Sequence, residues 1–216
     1  MNLQAHGEAP MARVGSDHVL NPIGVRMQFA ADEEIYGQEE AADLIYLVAK
    51  GVVRTSRLLR DGRRQIGDFY YPGDILGVEA GDTHGFAADA LTDTTLIVAK
   101  RSAVHHCGDD RERLERLISA ATARELARAQ EHLLVLGRRS ACEKVASFLL
   151  AVAQRVQGDL TPLAMSRQDM ADYLGLTIET VSRMLTQLQA NGLVRFVSHR
   201  AFQVTHPAGL ARLAAA

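Results

Sequence analysis

Four side chains near the start of one predicted helix have the chemistry needed to contact the edges of DNA bases. Arg183 carries a planar guanidinium group, which can donate two parallel hydrogen bonds to the O6 and N7 atoms of guanine. Glu179 can accept a hydrogen bond from the N4 amino group of cytosine, and it lies one helical turn from Arg183, which it could also buttress. Ser182 can bond to either type of base, and Ile178 can pack on a thymine methyl group. The spacing therefore predicts base readout from one helix face.

A helix-turn-helix pattern would position these four residues. Ser166 begins a first helix that runs to about Leu174, with an acidic residue three positions after Ser166 as in a capping box. Gly175 interrupts this helix, and Thr177 is the N-cap of a second one that runs to about Ala190. Small or apolar residues stand where two such helices would touch: Met170, Ala171, Leu174, Leu176, Val181 and Met184. The N-terminal end of the second helix is where a recognition helix meets base edges.

A β-hairpin is predicted directly after the second helix, as in the wing of a winged helix. Its strands are Leu193–Val197 and Ala201–Thr205. The basic hairpin side chains could reach phosphates or could simply lie in solvent. We predict DNA-backbone contacts from Ser166, Arg167, Thr177, Thr180, Arg195, His199 and Arg200.

The region from residue 21 to 109 has the pattern of a small β-barrel or sandwich. Short apolar runs recur at near-even spacing and are separated by turn signals. Asp61-Gly62 is a strong hairpin signal, and Pro72-Gly73 suits a type II turn. The first 20 residues show no steady period, so we predict a flexible N-terminal arm.

A long helix is predicted over residues 110–136, which contain no Gly or Pro and are rich in Ala, Leu, Arg and Glu. Its narrow apolar stripe and dense charge favour a dimerisation helix, and the alternative is a helix packed on its own domain. The predicted dimerisation residues are Leu114, Ile118, Ala121, Leu126, Ala129, Leu133 and Leu136. A further helix follows from about Arg139 to Val156, within a C-terminal domain that we place at 137–216.

Composition and charge exclude several classes of protein. The 216 residues carry 24 Lys and Arg against 26 Asp and Glu, which argues against a protein that coats nucleic acid. Residues 1–136 hold 15 basic and 21 acidic residues, whereas residues 137–216 hold 9 and 5. This contrast suggests two domains with different partners, and the alternative is a chance distribution of charge. Neither a long apolar run nor a secretory signal is present, and two cysteines make no disulfide framework. We expect a cytoplasmic protein.

Metal and enzyme interpretations find little support. Only Cys107 and Cys142 are present, whereas an iron–sulfur cluster needs four ligands. Side chains of the adjacent His105, His106 and Cys107 diverge in direction, although His84 could join one of them. A metal-dependent cupin-type enzyme with a winged-helix appendage is the alternative from another class, but the histidines lack cupin spacing. We predict no catalytic residues, no metal site and no cofactor.

The sequence resembles the CRP/FNR superfamily of bacterial transcription regulators. Leu176–Arg183 is similar to the recognition helix of that family, and the pattern of Glu179, Ser182 and Arg183 is that of the FNR and FixK branch. The stretches Leu136–Leu150 and Pro72–Gly77 resemble the family as well.

The resemblance implies an α+β fold with an N-terminal β-roll of cyclic-nucleotide-binding type, a long dimerisation helix and a C-terminal winged helix-turn-helix. It also implies a homodimer that binds TTGAT-N4-ATCAA palindromes in promoters. Such a regulator would be expected to act as an activator through RNA polymerase, in low-oxygen or nitrogen-fixation gene control.

Cyclic-nucleotide binders of this family use a Gly-Glu pair for the ribose and an Arg-Ser pair for the phosphate. The similar stretch, Gly77–Ala88, has Val78 after the glycine and Gly85-Phe86 in place of Arg-Ser. A buried phosphate would therefore lack its counter-charge. We expect a regulator that works without cAMP and without an iron–sulfur cluster, and the alternative is gating by an unidentified small effector in the β-roll.

Overall fold

The N-terminal half is a β-roll made of two four-stranded antiparallel sheets. The computed structural model describes residues 20–104, 110–138, 140–156 and 158–215. The strands of the roll are β1 (Val25–Phe29), β2 (Glu34–Tyr36), β3 (Leu44–Lys50), β4 (Val53–Leu58), β5 (Arg64–Tyr70), β6 (Ile75–Leu76), β7 (Ala87–Ala90) and β8 (Thr94–Lys100). One sheet has the order β1-β8-β3-β6 and the other β2-β7-β4-β5. The predicted arm lies outside the described residues, apart from its last position.

Apolar residues of both sheets meet between them, and glycines make the sharp turns. Val48, Val53 and Leu96 are fully buried in the space between the sheets. The two predicted turns place Gly62 at φ +83° and Gly73 at φ +95°, a region of backbone conformation that favours glycine. The barrel or sandwich predicted from the strand pattern is thus a two-sheet roll.

A short helix, α1 (Arg101–Val104), and the long helix α2 (Arg111–Leu136) follow the roll. The first part of α2 packs on the roll, where Leu114 and Ala121 are buried in one cluster with strand residues such as Leu47. The prediction that Leu114 and Ala121 contact a second subunit was therefore wrong, because their own domain covers them. Ile118 packs beside them and is half-buried.

The rest of α2 is exposed on the side away from the roll. Leu126, Leu133 and Leu134 are each at least 60% exposed. Ala129 is also exposed, and Leu136 is half-buried. Leu134 was not among the predicted residues, because it falls outside the single stripe used for that prediction.

The C-terminal domain is a winged helix-turn-helix. Its elements are α3 (Ala141–Arg155), β9 (Thr161–Pro162), α4 (Arg167–Leu174), α5 (Ile178–Ala190), β10 (Val194–Ser198), β11 (Ala201–Val204) and α6 (Pro207–Ala215). The strands form a sheet in the order β10-β11-β9, and α6 packs on α3. Neither β9 nor α6 was predicted.

The two domains share one apolar cluster. Phe69 of the roll lies 6.0 Å from Phe148 of α3 and 5.4 Å from Tyr173 of α4, between ring centroids. The first helix of the helix-turn-helix therefore packs directly on the roll of its own chain. Along the described residues, no helix combines the length and apolar character needed to cross a bilayer.

Candidate nucleic-acid interface

Capping hydrogen bonds define the start of both helices of the motif. The Ser166 hydroxyl accepts a hydrogen bond from Asp169 N, and Asp169 Oδ2 accepts one from Ser166 N at 2.9 Å, which completes a capping box. Gly175 ends α4 in the left-handed region at φ +62°. Thr177 caps α5 by accepting a hydrogen bond from Thr180 N at 3.3 Å. The motif thus has the capping residues predicted from the sequence.

The four residues predicted to contact bases lie at the exposed N-terminal part of α5. Ile178, Glu179 and Arg183 are exposed, and Ser182 is half-buried. The opposite face of α5 is buried through Val181, Met184, Leu185 and Leu188. The amphipathic pattern of α5 therefore leaves these four side chains on its outer side.

Glu179 interacts with the start of its own helix. Hydrogen bonds from its own backbone N–H and from Thr177 lower the pKa of Glu179 below its ordinary value. Among the described residues, Arg183 is not one of the groups that shift the pKa of Glu179. The buttress of Arg183 by Glu179 is therefore not formed in this structure, where the carboxylate bonds at the helix N-terminus, and it stays a prediction for the complex with DNA.

A predicted phosphate contact and a predicted base contact touch each other. Arg167, in the first turn of α4, donates a hydrogen bond from Nη1 to Ser182 Oγ at 3.2 Å. This bond links the starts of the two helices across the motif.

A groove separates the hairpin tip from the start of α4. It has a volume of about 530 Å³, and its polar lining includes Ser166, Arg167, Ser198, His199 and Arg200. Four of the residues predicted to contact the DNA backbone thus come together at one surface. Two others, Thr177 and Thr180, bond to each other at the start of α5. The guanidinium of Arg195 donates instead to Gln203 Oε1 at 2.8 Å across the hairpin.

The roll holds α4 through contacts that the sequence did not reveal. Arg54 and Arg64 of the roll each approach Asp169 Oδ1 at 2.7 Å, and Arg64 also bonds Asp172. His132 of α2 stacks on Tyr173 of α4. The only sequence signal at these positions was the acidic residue of the capping box, which does not identify partners from another domain.

Side chains from α1 and from the roll contact the segment that resembles a cyclic-nucleotide site. Arg101 donates from Nη2 to Gly77 O at 2.7 Å and lies 3.4 Å from Glu79 Oε2. His84 is buried, and its Nδ1 lies 3.0 Å from Glu79 Oε1 while its ring stacks on Tyr36 at 3.7 Å. The segment has no arginine of its own, and the Arg101 guanidinium that reaches it from α1 already bonds a backbone carbonyl and a carboxylate.

Histidine and cysteine side chains form no metal centre in the described ranges. No group of three or more His, Cys, Asp or Glu side chains there could hold a metal ion. Cys142 is half-buried on α3. His105, His106 and Cys107 lie outside the described residues.

Known proteins resemble both halves of the chain. Residues 26–110 match the cyclic nucleotide-binding domain, and residues 143–213 match the Crp-like helix-turn-helix domain. The nitrogen fixation regulation protein FixK of Bradyrhizobium diazoefficiens is 42% identical over 199 residues, which cover 90% of this chain and 84% of FixK. The structure of FixK2 from Bradyrhizobium japonicum has a TM-score of 0.84 and 43% identity, and the match covers 90% of this chain and 98% of that one.

A second solved structure shows the same architecture. TTHB099, a transcriptional regulator of the CRP family from Thermus thermophilus, has a TM-score of 0.73 and 27% identity, with 88% of this chain and 97% of that chain covered. The predicted β-roll and C-terminal helix-turn-helix are confirmed. The chain belongs to the CRP/FNR family of DNA-binding transcription regulators and is a regulator rather than an enzyme.

Proposed function

We propose that this regulator binds TTGAT-N4-ATCAA palindromes as a homodimer, without cAMP and without an iron–sulfur cluster. The observation that carries the proposal is the exposed N-terminal part of α5, which presents Ile178, Glu179, Ser182 and Arg183 together. These four side chains combine a bidentate donor, an acceptor, a hydroxyl and an apolar contact.

Base readout follows from the chemistry of these groups. The Arg183 guanidinium matches the O6 and N7 acceptors of the guanine in TTGAT. Hydrogen bonds at the helix start lower the pKa of Glu179 and so favour its carboxylate form, which can accept from the N4 amino group of the paired cytosine. Ile178 can contact a thymine methyl group. A dimer would place its two recognition helices about 34 Å apart, one turn of DNA.

The groove between the hairpin tip and the start of α4 carries the side chains that we propose to contact DNA phosphates. Arg167 and Arg200 line it from two different elements, and both are exposed. Both arginines belong to residues 137–216, which have more basic than acidic residues, whereas residues 1–136 have more acidic than basic residues. An acidic first half would weaken attraction to phosphates in general, so base contacts would supply more of the selectivity.

The exposed leucines of α2 support a homodimer. Leu126 and Leu133 are seven residues apart and therefore lie on one side of the helix, with Leu134 adjacent to them. Exposed apolar side chains at this spacing favour packing against a second helix that has the same pattern. We propose that a second copy of α2 packs on Leu126, Ala129, Leu133 and Leu134.

The contacts at the segment of the roll that resembles a cyclic-nucleotide site support action without a nucleotide. A cyclic phosphate would have to displace the contacts that Arg101 already makes to Gly77 and Glu79. The His84 ring, which stacks on Tyr36, also bonds Glu79, so this glutamate has protein partners as well.

The relatives suggest a physiological role. FixK is named as a nitrogen fixation regulation protein. We propose that this chain acts in the cytoplasm as an activator of low-oxygen or nitrogen-fixation genes, through RNA polymerase.

A mobility-shift assay with purified protein and no additive tests the proposal. The TTGAT-N4-ATCAA duplex should shift at a protein concentration that leaves a scrambled duplex free, and added cAMP should change nothing. A shift that appears only with cAMP, or only with a small-molecule extract of cells, would replace the proposal with ligand gating.

A further inference from the structure

Two arginines of the roll and two aspartates of α4 form an interdomain latch, which we define as Arg54, Arg64, Asp169 and Asp172. Arg54 Nη1 and Arg64 Nη2 each lie 2.7 Å from Asp169 Oδ1. Arg64 also donates from Nε to Asp172 Oδ2 at 2.8 Å. Asp89 of β7 holds the other side of the Arg54 guanidinium, at 2.8 Å from Nη2. We propose that this latch orients the helix-turn-helix for simultaneous contact with both half-sites.

The latch is shielded from solvent. The Asp169 side chain is 6% exposed, those of Arg54 and Asp172 are 13% and 14% exposed, and that of Arg64 is 31% exposed, so water screens these attractions less than at the open surface. Arg63, the residue directly before Arg64, gives a direct contrast, because it pairs with Asp61 while its side chain is 79% exposed. An exposed pair of that kind contributes little to stability. The latch, which is more shielded, can therefore hold a position more firmly than the exposed pair can.

One carboxylate connects the roll to the start of the DNA-binding motif. Asp169 Oδ1 faces the two arginines, and Asp169 Oδ2 accepts hydrogen bonds from Ser166 in the capping box. The neighbouring Arg167 bonds Ser182 of α5. The position of the roll is thus transmitted through α4 to the helix that carries the base contacts.

The latch leaves the recognition face uncovered. Glu179 and Arg183 are exposed while all the latch contacts are made. Docking on the roll therefore does not block DNA, and its effect is on orientation. In a two-fold dimer the orientation of each motif sets the separation of the two recognition helices.

The four latch residues are accordingly positioning residues, and their role rests on the proposed binding of a palindrome. Their charges are matched within the chain, so the orientation needs no ligand. Loss of the latch should weaken binding to two half-sites at the correct spacing while leaving the contacts to one half-site intact.

The test compares Arg64→Gln with Arg63→Gln, which removes the neighbouring exposed arginine. Affinity is measured for palindromes with N3, N4 and N5 spacers and for a single half-site. Arg64→Gln should bind the N4 palindrome about tenfold more weakly, a typical size for coupling between two sites. Its preference for N4 over N3 and N5 should flatten, and its affinity for a single half-site should stay unchanged. Arg63→Gln should behave as wild type.

The conservative variant Arg64→Lys keeps the charge but not the forked geometry, so it should recover part of the N4 preference. The latch would be overturned if Arg64→Gln bound the N4 palindrome with wild-type affinity and spacing preference. It would also be overturned if Arg64→Gln lost affinity equally for the palindrome and for the single half-site. If Arg64→Gln does not fold, a wild-type spacing profile in the folded Arg64→Lys variant overturns it. Failure of the wild-type protein to distinguish the palindrome from scrambled DNA would instead overturn the proposed function.

Discussion

His132 of the long helix lies flat on Tyr173 of the helix-turn-helix. The ring centroids are 3.8 Å apart with 3° between the planes, and His132 Nε2 donates to Tyr173 O at 2.7 Å. The stacked pair joins α2 to α4 at the boundary between the domains. Burial of the His132 ring disfavours its protonated form and lowers its pKa, so the stability contributed at this boundary depends on pH.

Acidification should destabilise the protein through His132. Burial lowers the pKa of His132, although the bond to Tyr173 and the charge of Asp68 oppose the shift. The stabilising contribution is therefore complete above the unfolded pKa, about 6.5, and is lost as the pH falls through the lower folded pKa. Urea unfolding at pH 7.5 and pH 5.5 should show a smaller loss of unfolding free energy for His132→Gln than for wild type. His199→Gln, in the exposed hairpin tip, should keep the wild-type loss, and an equal loss in all three proteins would contradict the assignment.

Removal of the Arg183 side chain should weaken sequence discrimination and relax it at the guanine position. Arg183→Ala should lose about 1–3 kcal/mol of specific binding per half-site and become tolerant at the guanine position. Arg212→Ala, an exposed arginine on α6, is the matched control. Fluorescence anisotropy with TTGAT and point-substituted palindromes measures both effects. Unchanged discrimination in Arg183→Ala would rule out its contact with guanine.

Arg200 should contribute affinity without selectivity. Arg200→Gln should weaken binding to palindromic and scrambled DNA by the same factor, because a phosphate contact does not read sequence. The slope of log K against log salt should fall in magnitude by about 0.9 for each phosphate contact removed. Arg113→Gln, on the exposed start of α2, should leave the slope unchanged. A loss confined to the palindrome would show that Arg200 acts on sequence instead.

Exposed leucines on α2 should hold the dimer together. Leu133→Arg would place a charge among apolar side chains, so the protein should sediment as a monomer and lose affinity for the palindrome more than for a half-site. Leu160→Arg applies the same change to an exposed leucine of the C-terminal domain and should stay dimeric. Sedimentation equilibrium distinguishes these states. A dimeric Leu133→Arg protein would place the subunit contact elsewhere.

Local sequence signals predicted the helix-turn-helix well. Ser166, Gly175 and Thr177 act within a few residues of their own position, through caps and backbone conformation, and the structure places each where its type requires. The exposed outer face of α5 follows from the same periodicity.

Contacts between distant segments were not predictable in this way. The assignment of Leu114 and Ala121 to a subunit contact failed because an apolar stripe does not reveal which surface covers it, and the roll covers these two. The bond between Arg54 and Asp169 joins positions 115 residues apart. No periodicity or capping rule specifies such a pair.

The most direct test is a comparison of three duplexes with ligand-free wild-type protein. One duplex carries the TTGAT-N4-ATCAA palindrome, one has a single half-site scrambled, and one has both scrambled. Anisotropy titration should give one dimer per palindrome, with affinity at least about 1,000-fold above the fully scrambled duplex. The duplex with one half-site should fall between them. Equal affinity for all three duplexes would contradict a dimeric regulator that reads this palindrome without a ligand.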